Sequence, residues 1–203
     1  ASDVYKRQVV NGWGWPNELV SWNWKGLEGQ TLSVNVYSRS PKVRLYLNGK
    51  LIGEKETGKE NYTATFEVPY EPGILKAVNS KGKEEFILKT AGEPAAIRLT
   101  ADRNTIKACK NDLSYVKIEL VDKDGNVVPD TSLPVKIACS GKGTVIASGN
   151  AAYDDMKSFR SLTPNTFRGR AIAIVQPTEE KREIRVTVSA EGMEDASVLI
   201  HAE

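Results

Sequence analysis

The sequence predicts an all-β protein made of two tandem immunoglobulin-like antiparallel β-sandwiches. Three observations support this prediction. The 203 residues suit two domains of about 100 residues each. Short runs in which apolar and polar residues alternate occur along the whole chain, and none shows the apolar stripe of an amphipathic helix. Gly, Pro, Asn and Asp separate these runs at short intervals, as is typical of a sandwich.

The chain opens with a stretch that has no periodicity. We assign residues 1–12 to a tag, a linker or the segment through which the chain enters the fold. All four tryptophans follow within twelve residues, namely Trp13, Trp15, Trp22 and Trp24. Residues two apart on a strand share a face, so each pair is a candidate carbohydrate-stacking surface. The alternative, which we favour, is that the rings anchor the first strand or cover the edge of the core.

Alternating runs then predict the strands of a first sandwich, residues 13–91. These runs are 31–37, the two arms of 43–53, 62–68, 74–78 and 85–89. Asn48-Gly49 in the centre of 43–53 predicts a hairpin with a type I′ turn, because both residues tolerate positive φ. The expected cross-strand pairs are Leu47 with Lys50, Tyr46 with Leu51, and Leu45 with Ile52. The face expected to meet the core carries Val43, Leu45 and Leu47.

A Gly- and Pro-containing interruption at 90–94 marks the predicted boundary with a second sandwich, residues 92–203. Its predicted strands are 96–100, 114–121, 134–139, 143–146, 171–175, 183–190 and 196–201. The polar stretch 148–168 is long for a sandwich loop, and it is either a functional loop or an ordered cover over one sheet. Its Asp154-Asp155 pair is a weak candidate for a cation site.

Composition and residue types argue against several functions. The net charge of +2 with interspersed signs gives no reason to expect nucleic acid, and no apolar run reaches the ~20 residues of a membrane span. His201 is the single histidine, so histidine-based triads and multi-histidine metal sites are not available. Asp122-Lys123-Asp124-Gly125-Asn126 departs from a calcium loop, because its glycine stands fourth instead of sixth. We expect no cofactor and no metal, and we expect Cys109 and Cys139 to be free thiols.

Several motifs, in a fixed order, carry a resemblance to a known family. They include Trp22-Asn23-Trp24-Lys25-Gly26, Val43 to Lys50, Val68 to Ala77, Ala91 to Leu99, Asp112 to Val116, Val121 to Asn126, Phe167 to Gln176 and Ser189 to Gly192. They resemble the C-terminal region of family 2 glycoside hydrolases, the β-galactosidase-like enzymes of gut Bacteroides and relatives. The resemblance runs from Trp22 nearly to the end of the chain. It implies two β-sandwich modules that follow a catalytic barrel.

The resemblance also implies where the chemistry lies. Retaining glycosidases use two carboxylates about 5 Å apart, which in this family are glutamates on a (β/α)₈ barrel of about 250 residues. No motif here matches those glutamates, so we assign no catalytic residue and expect no hydrolytic activity from the chain. The expected partner is the catalytic barrel of the same polypeptide, with carbohydrate or a second copy as further possibilities. The family's usual setting is periplasmic or secreted.

Three functional hypotheses follow. The first is an accessory region that supports the barrel, shapes its cleft or makes subunit contacts. The second is a carbohydrate-binding module in which the tryptophans stack on sugars beside Asn17, Glu18 and Asn23. The third is a bacterial surface adhesion or spacer protein, since fold alone does not determine function. The family motifs favour the first.

Overall fold

The computed structural model describes residues 18–203. The chain divides into two compact units, Ala1–Thr90 and Ala91–Glu203. All regular secondary structure in the described residues is β-strand, in agreement with the predicted all-β fold of antiparallel sandwiches. Within the same residues no helix has the length and apolar character of a membrane span.

The first unit places a narrow sheet against a wider one. Its strands are β1 (Thr31–Tyr37), β2 (Lys42–Leu47), β3 (Lys50–Glu56), β4 (Thr63–Pro69), β5 (Ile74–Asn79) and β6 (Glu85–Lys89). Strands β1 and β4 form a two-stranded sheet, and the other sheet has four strands in the order β3-β2-β5-β6. All pairs are antiparallel. The two sheets therefore differ in width by two strands.

The β2–β3 hairpin forms around the predicted turn. Asn48 and Gly49 have φ of 50° and 81°, as a type I′ turn requires. Two of the three expected pairs are confirmed, Leu47 with Lys50 and Tyr46 with Leu51. The third prediction was wrong: Leu45 pairs with Gly53 and not with Ile52, because a β-bulge makes Ile52 an extra residue on β3.

The core of the first unit lies between its two sheets. The three residues assigned to the inner face of β2 are buried, as predicted: Val43, Leu45 and Leu47. They pack with residues of both sheets and of the connecting segments: Trp22, Leu27, Leu32, Ala64, Phe66, Val68, Tyr70 and Leu75. Part of this core is thus supplied by residues that belong to no strand.

The second unit has two sheets of equal width. Its strands are β7 (Ala96–Ala101), β8 (Thr105–Ile106), β9 (Ser114–Val121), β10 (Lys136–Gly141), β11 (Gly143–Gly149), β12 (Arg170–Pro177), β13 (Glu183–Ser189) and β14 (Ala196–Ala202). The sheets are β10-β13-β14-β8 and β11-β12-β9-β7. Strand β8 was not predicted, because two residues are too few to show a period, and it pairs with β14 in parallel.

Apolar side chains at alternate positions of β9, β12 and β13 fill the core of the second unit. Inward-facing residues on these strands have 0% exposure, among them Val116, Ile118, Val175, Ile184 and Val186. They belong to one cluster of fifteen buried residues. Because four strands face four strands, the second unit buries its core with strand residues from both sheets.

Candidate functional site

A groove opens between the two sheets of the first unit. Its volume is about 580 Å³, within the range of about 300–1,000 Å³ that small-ligand sites have. Residues 18–24, which we call the lead-in segment, line one side together with β1, and β2, β5 and β6 line the other. The groove exists because β1 has a strand partner on one side only among the described residues, while the opposite sheet has four strands.

The lining of this groove is mostly apolar, and aromatic rings lie at its rim. The aliphatic lining residues include Val34, Val36, Leu45, Leu75, Ala77 and Leu88. Trp24 is half-buried, whereas Tyr37 and Phe86 are each 60% exposed. Exposed rings beside an apolar groove indicate a surface that another group covers. The groove is therefore the candidate functional site of the first unit.

A hydrogen-bonded network fixes one end of the groove. The Glu18 carboxylate accepts a hydrogen bond from Asn35 Nδ2 at 2.5 Å and one from the Tyr37 hydroxyl at 2.6 Å. Thr65 Oγ1 in turn donates to Asn35 Oδ1 at 2.6 Å. The hydrogen bond to Glu18 and burial raise the pKa of Tyr37 to about 12. Tyr37 is thus held in its protonated form, and Glu18 is tied to β1.

Trp22 is a core residue. Its side chain is 2% exposed, and its ring meets the ring of Tyr70 edge-on with centroids 5.2 Å apart. The indole Nε1 donates to the Glu71 carbonyl at 3.0 Å, and the Trp22 carbonyl accepts from Thr90 Oγ1 at 2.7 Å. This geometry favours the packing interpretation of Trp22, because its ring offers no free face to a sugar.

Trp24 differs from Trp22 in exposure, although both border the groove. Its backbone N–H donates to the Tyr70 hydroxyl at 3.1 Å, and its carbonyl accepts from Leu27 N at 3.0 Å. The lead-in segment is not a strand, so the rule that residues two apart share a face does not apply to this pair. Trp13 and Trp15, the other two candidates, lie outside the described residues.

The long loop of the second unit runs between β11 and β12 and is organised by Asp155. The Asp155 carboxylate accepts from the backbone of Lys157 at 2.9 Å and from Asn150 Nδ2 at 2.6 Å, and these bonds lower its pKa. Lys157 Nζ also donates to Asn165 Oδ1 at 2.9 Å. No group of three or more possible metal ligands occurs in residues 18–203. The hydrogen bonds from Lys157 and Asn150 give the Asp155 side chain a structural role in this loop.

The buried carboxylate of Asp122 closes the turn that follows β9. It accepts hydrogen bonds from the backbone N–H groups of Gly92, Asp124 and Asn126 at 2.9, 3.0 and 2.8 Å. Burial alone raises the pKa of this group, but the hydrogen bonds from Gly92 and Asn126 outweigh burial and lower it to about 2. The carboxylate stabilises an ordinary Asp-Gly turn.

Sequence reasoning missed Glu119, a carboxylate that is 4% exposed on β9. Its oxygens lie 3.0 Å from Arg98 Nε, 3.2 Å from Arg170 Nε and 3.3 Å from Lys117 Nζ. Burial raises its pKa, but these cations have the larger combined effect and lower it. Arg98 on β7 and Arg170 on β12 both lie opposite Glu119, because both strands pair with β9 in that register. The alternation of residue types within a single strand therefore did not indicate this cluster of charges.

The remaining reactive side chains have ordinary surroundings. Cys109 and Cys139 are free thiols, and burial raises the pKa of Cys139. His201 Nδ1 lies 3.6 Å from a carboxylate oxygen of Glu183, and both side chains are largely exposed. None of these contacts resembles a nucleophile with its base.

Two family models match the chain. Residues 97–199 match the model described as glycoside hydrolase family 2 C-terminal domain 5. Residues 29–86 match a model described as a domain of unknown function. The first match covers the greater part of the second unit, and the second match covers β1 to β5 and the start of β6.

Similar proteins include curated hydrolases and solved structures. A β-galactosidase of Bacteroides ovatus, BoGH2A, is 31% identical over 90% of this chain, and a β-glucuronidase of Formosa agariphila is 26% identical over 91%. This chain spans about a fifth of their lengths, 22% and 19%. A solved family 2 glycosyl hydrolase of Bacteroides cellulosilyticus is 35% identical, with a TM-score of 0.89 over 95% of this chain and 26% of its own. A β-glycosidase of Bacteroides vulgatus is 26% identical, with a TM-score of 0.85 over 91% of this chain and 24% of its own.

Proposed function

The chain belongs to glycoside hydrolase family 2 as a non-catalytic C-terminal accessory region, and from this premise we propose that it supports the catalytic barrel of a longer polypeptide. In this proposal the two sandwiches hold the barrel in its working geometry and extend the wall of its cleft or its subunit contacts. The parent is a retaining glycosidase of the β-galactosidase type, and it works in the periplasm or outside the cell.

One observation carries the proposal. The similarity to a solved family 2 hydrolase continues through both units, over 95% of this chain, while it includes only 26% of that hydrolase. Both units therefore correspond together to one part of a larger enzyme. A (β/α)₈ barrel needs alternating strands and helices over about 250 residues, whereas the regular structure in residues 18–203 consists of strands. Such a unit positions other domains and does not itself form or break glycosidic bonds.

The named relatives indicate the substrate class of the parent. They are a β-galactosidase and a β-glucuronidase, and both names describe cleavage of a β-linked sugar. The β-galactosidase has the higher identity of the two, 31% against 26%. We therefore place the parent nearer the β-galactosidases.

A domain exchange tests the support role. In the Bacteroides ovatus β-galactosidase, the 186-residue region that aligns with this chain is either deleted or replaced by this chain. We expect deletion to shorten the half-life of β-galactosidase activity on heating, and replacement to restore part of that half-life. A replacement that carries Trp22→Ala is the matched control and should restore less. A deletion that leaves the half-life unchanged would contradict the proposal.

A direct assay tests the absence of turnover in the chain. Purified alone, it should leave chromogenic β-galactosides and β-glucuronides intact. Cleavage that disappears when one of the chain's own acidic residues is changed would overturn the assignment. The Glu119→Gln and Asp122→Asn variants, purified in the same way, are the control for a contaminating hydrolase. In the unsubstituted chain both carboxylates are buried in structural contacts.

A second candidate function is carbohydrate binding at the groove. The observation that favours it is the partial exposure of Trp24 beside the rings of Tyr37 and Phe86, since aromatic faces stack on sugars. Titration of galactosides and glucuronides against tryptophan fluorescence should give a saturable change if Trp24 contacts sugar. The change should disappear in Trp24→Phe only if the indole itself is the contact. A flat titration up to millimolar sugar would exclude this function.

A further inference from the structure

The exposed apolar side chains of the second unit are collected on one of its two sheets. Residues 91–203 are all described, and seven large apolar side chains among them are exposed. All seven lie on β9, β11, β12 or the β11–β12 loop: Tyr115, Ile146, Tyr153, Met156, Phe159, Leu162 and Ile172. The outer face of the opposite sheet carries polar residues of β13 and β14: Glu183, Arg185, Thr187, Ser197 and His201. The two sheets thus differ in what they present to solvent.

The strand register joins several of these side chains into one apolar surface. Ile172 on β12 lies opposite Gly149 on β11, and a Cβ atom added at Gly149 would stand 2.8 Å from the Phe159 ring. Two residues along β12, Ile174 lies opposite Tyr115 on β9. Residues that lie opposite each other on neighbouring strands share a face of the sheet. We call Tyr115, Phe159, Ile172 and Ile174 the outer patch.

The β11–β12 loop adds apolar side chains that are almost wholly in solvent. Tyr153 and Met156 are 97% and 94% exposed. The backbone of this loop is nevertheless held in place, because Ser148 N donates to the Phe159 carbonyl at 2.7 Å and Asp155 accepts the hydrogen bonds described above. An ordered loop that presents large apolar side chains to water indicates a surface that another group covers.

Cations border the outer patch. Arg98 and Arg170 both lie opposite Glu119, and Lys117 lies opposite Ile172. Three cations beside one carboxylate leave an excess of positive charge, which is complementary to a surface that carries carboxylates. In a two-fold dimer the same patch of both copies meets itself, so the cations of the two copies would repel each other. The charges therefore favour a different, acidic partner surface over a second copy.

We propose that the outer patch and the β11–β12 loop dock on an apolar surface of the remaining parent polypeptide, with carboxylates of that surface opposite Arg98, Lys117 and Arg170. This inference rests on the proposed function, because it names the surface through which the second unit meets the rest of the enzyme. This chain spans 22% and 19% of the lengths of the two curated relatives, so most of each relative lies outside the aligned region. A surface on the same polypeptide also has the advantage of tethering, since linked sites meet at a high effective concentration.

Hydroxyl-radical footprinting of the full-length parent polypeptide and of this chain alone tests the docking. These radicals oxidise exposed methionine and aromatic side chains. We expect Tyr153 and Met156 to be oxidised several-fold more slowly in the parent than in the chain, because docking removes them from solvent. His201 is the matched control, since it is exposed on the opposite sheet, and it should be oxidised at the same rate in both proteins.

A pair of charge substitutions tests the sign of the partner surface. Thr100 is exposed on β7 and lies opposite Lys117. In the parent, Thr100→Glu should shorten the half-life of glycosidase activity on heating, because the added carboxylate faces carboxylates, and Thr100→Lys should not. In the chain alone, Thr100→Glu gains an opposite charge beside Lys117, so its melting temperature should not fall. A parent in which Thr100→Lys shortens the half-life more than Thr100→Glu does would overturn the proposal.

Three footprinting results would also overturn it. One is equal oxidation of Tyr153 and Met156 in the parent and in the chain. Another is protection in the chain alone that grows with protein concentration, which would assign the surface to a second copy. The third is protection of the chain alone by an added galactoside, which would assign the surface to sugar. The support role fails by a different result, a half-life that is unchanged when the whole region is deleted.

Discussion

The two units of the chain belong to one fold class but differ in how completely their sheets cover each other. In the first unit a two-stranded sheet faces a four-stranded sheet, and in the second unit both sheets have four strands. The second unit buries its central residues to 0% exposure, as at Ile118 and Ile184. The first unit leaves a groove of about 580 Å³ between its sheets.

This difference shows how a narrow sandwich completes its core. The wider sheet presents an apolar face that two strands cannot cover, so segments outside the strands must cover the rest. In the first unit the lead-in segment does this by inserting Trp22 between the sheets. The cost of the arrangement is that the stability of the first unit depends on residues with no regular secondary structure. The predictions below test that dependence, and the first has the largest effect.

Trp22→Ala should lower the free energy of unfolding of the first unit by about 3–5 kcal/mol, the usual cost of truncating a buried large aromatic residue. The substitution leaves a cavity beside Tyr70 and removes the hydrogen bond to Glu71. Urea unfolding followed by tryptophan fluorescence measures this, because the second unit, Ala91–Glu203, contains no tryptophan. The second unit, followed by circular dichroism, should keep its midpoint.

Trp24→Ala is the control for that comparison, since Trp24 is only partly buried. Its effect should be clearly smaller than that of Trp22→Ala. A loss below about 1 kcal/mol for Trp22→Ala would contradict its assignment to the core and would show that the first unit closes without the lead-in segment.

Asp122→Ala should destabilise only the second unit, by about 1–3 kcal/mol, because it leaves buried N–H groups without their acceptor. The pKa of Asp122 is lowered to about 2 in the folded protein, against an ordinary value of about 3.9. Its contribution is therefore present above about pH 4 and is lost as the pH falls through about 2. Unfolding measured between pH 2 and pH 6 should show a shallower acid loss in the variant. Asp124→Ala, an exposed neighbour in the same turn, should keep the wild-type pH dependence.

Gly49→Ala and Gly125→Ala form a matched pair, one in each unit. Both glycines have positive φ, 81° and 79°, and an added Cβ atom at either position meets no atom within 4 Å. Each substitution should therefore cost only the conformational penalty of about 1–2 kcal/mol, and each should shift the midpoint of its own unit alone. A shift of both midpoints by either variant would show that the units unfold together.

Removal of a surface ion pair should have the smallest effect, and it should be equal in the two units. Lys76→Ala breaks a 3.0 Å contact with Glu85 in the first unit, and Lys142→Ala breaks a 2.9 Å contact with Glu180 in the second. All four side chains are at least 39% exposed. We expect losses of about 0–1 kcal/mol that shrink further in high salt. A loss above this range would indicate that one of the pairs belongs to a larger network.

Strand positions could be read from the sequence where alternation was long and regular. The predicted runs 31–37, 85–89 and 114–121 coincide with β1, β6 and β9. The hairpin register was correct near the turn and failed at Leu45, because a β-bulge adds one residue without changing the local pattern of residue types. The loop 148–168 was recognised as unusual, but its hydrogen bonds around Asp155 were not.

The sequence by itself determined the fold class, the hairpin turn and the family, because alternation, turn residues and ordered motifs are local properties of the chain. Only the tertiary structure decided that Trp22 packs in the core while Trp24 borders a groove, and that Glu119 lies among Arg98, Lys117 and Arg170. Burial and ion pairing depend on which strands become neighbours and on how wide each sheet is. These are relations between residues far apart in the chain, and no local pattern encodes them.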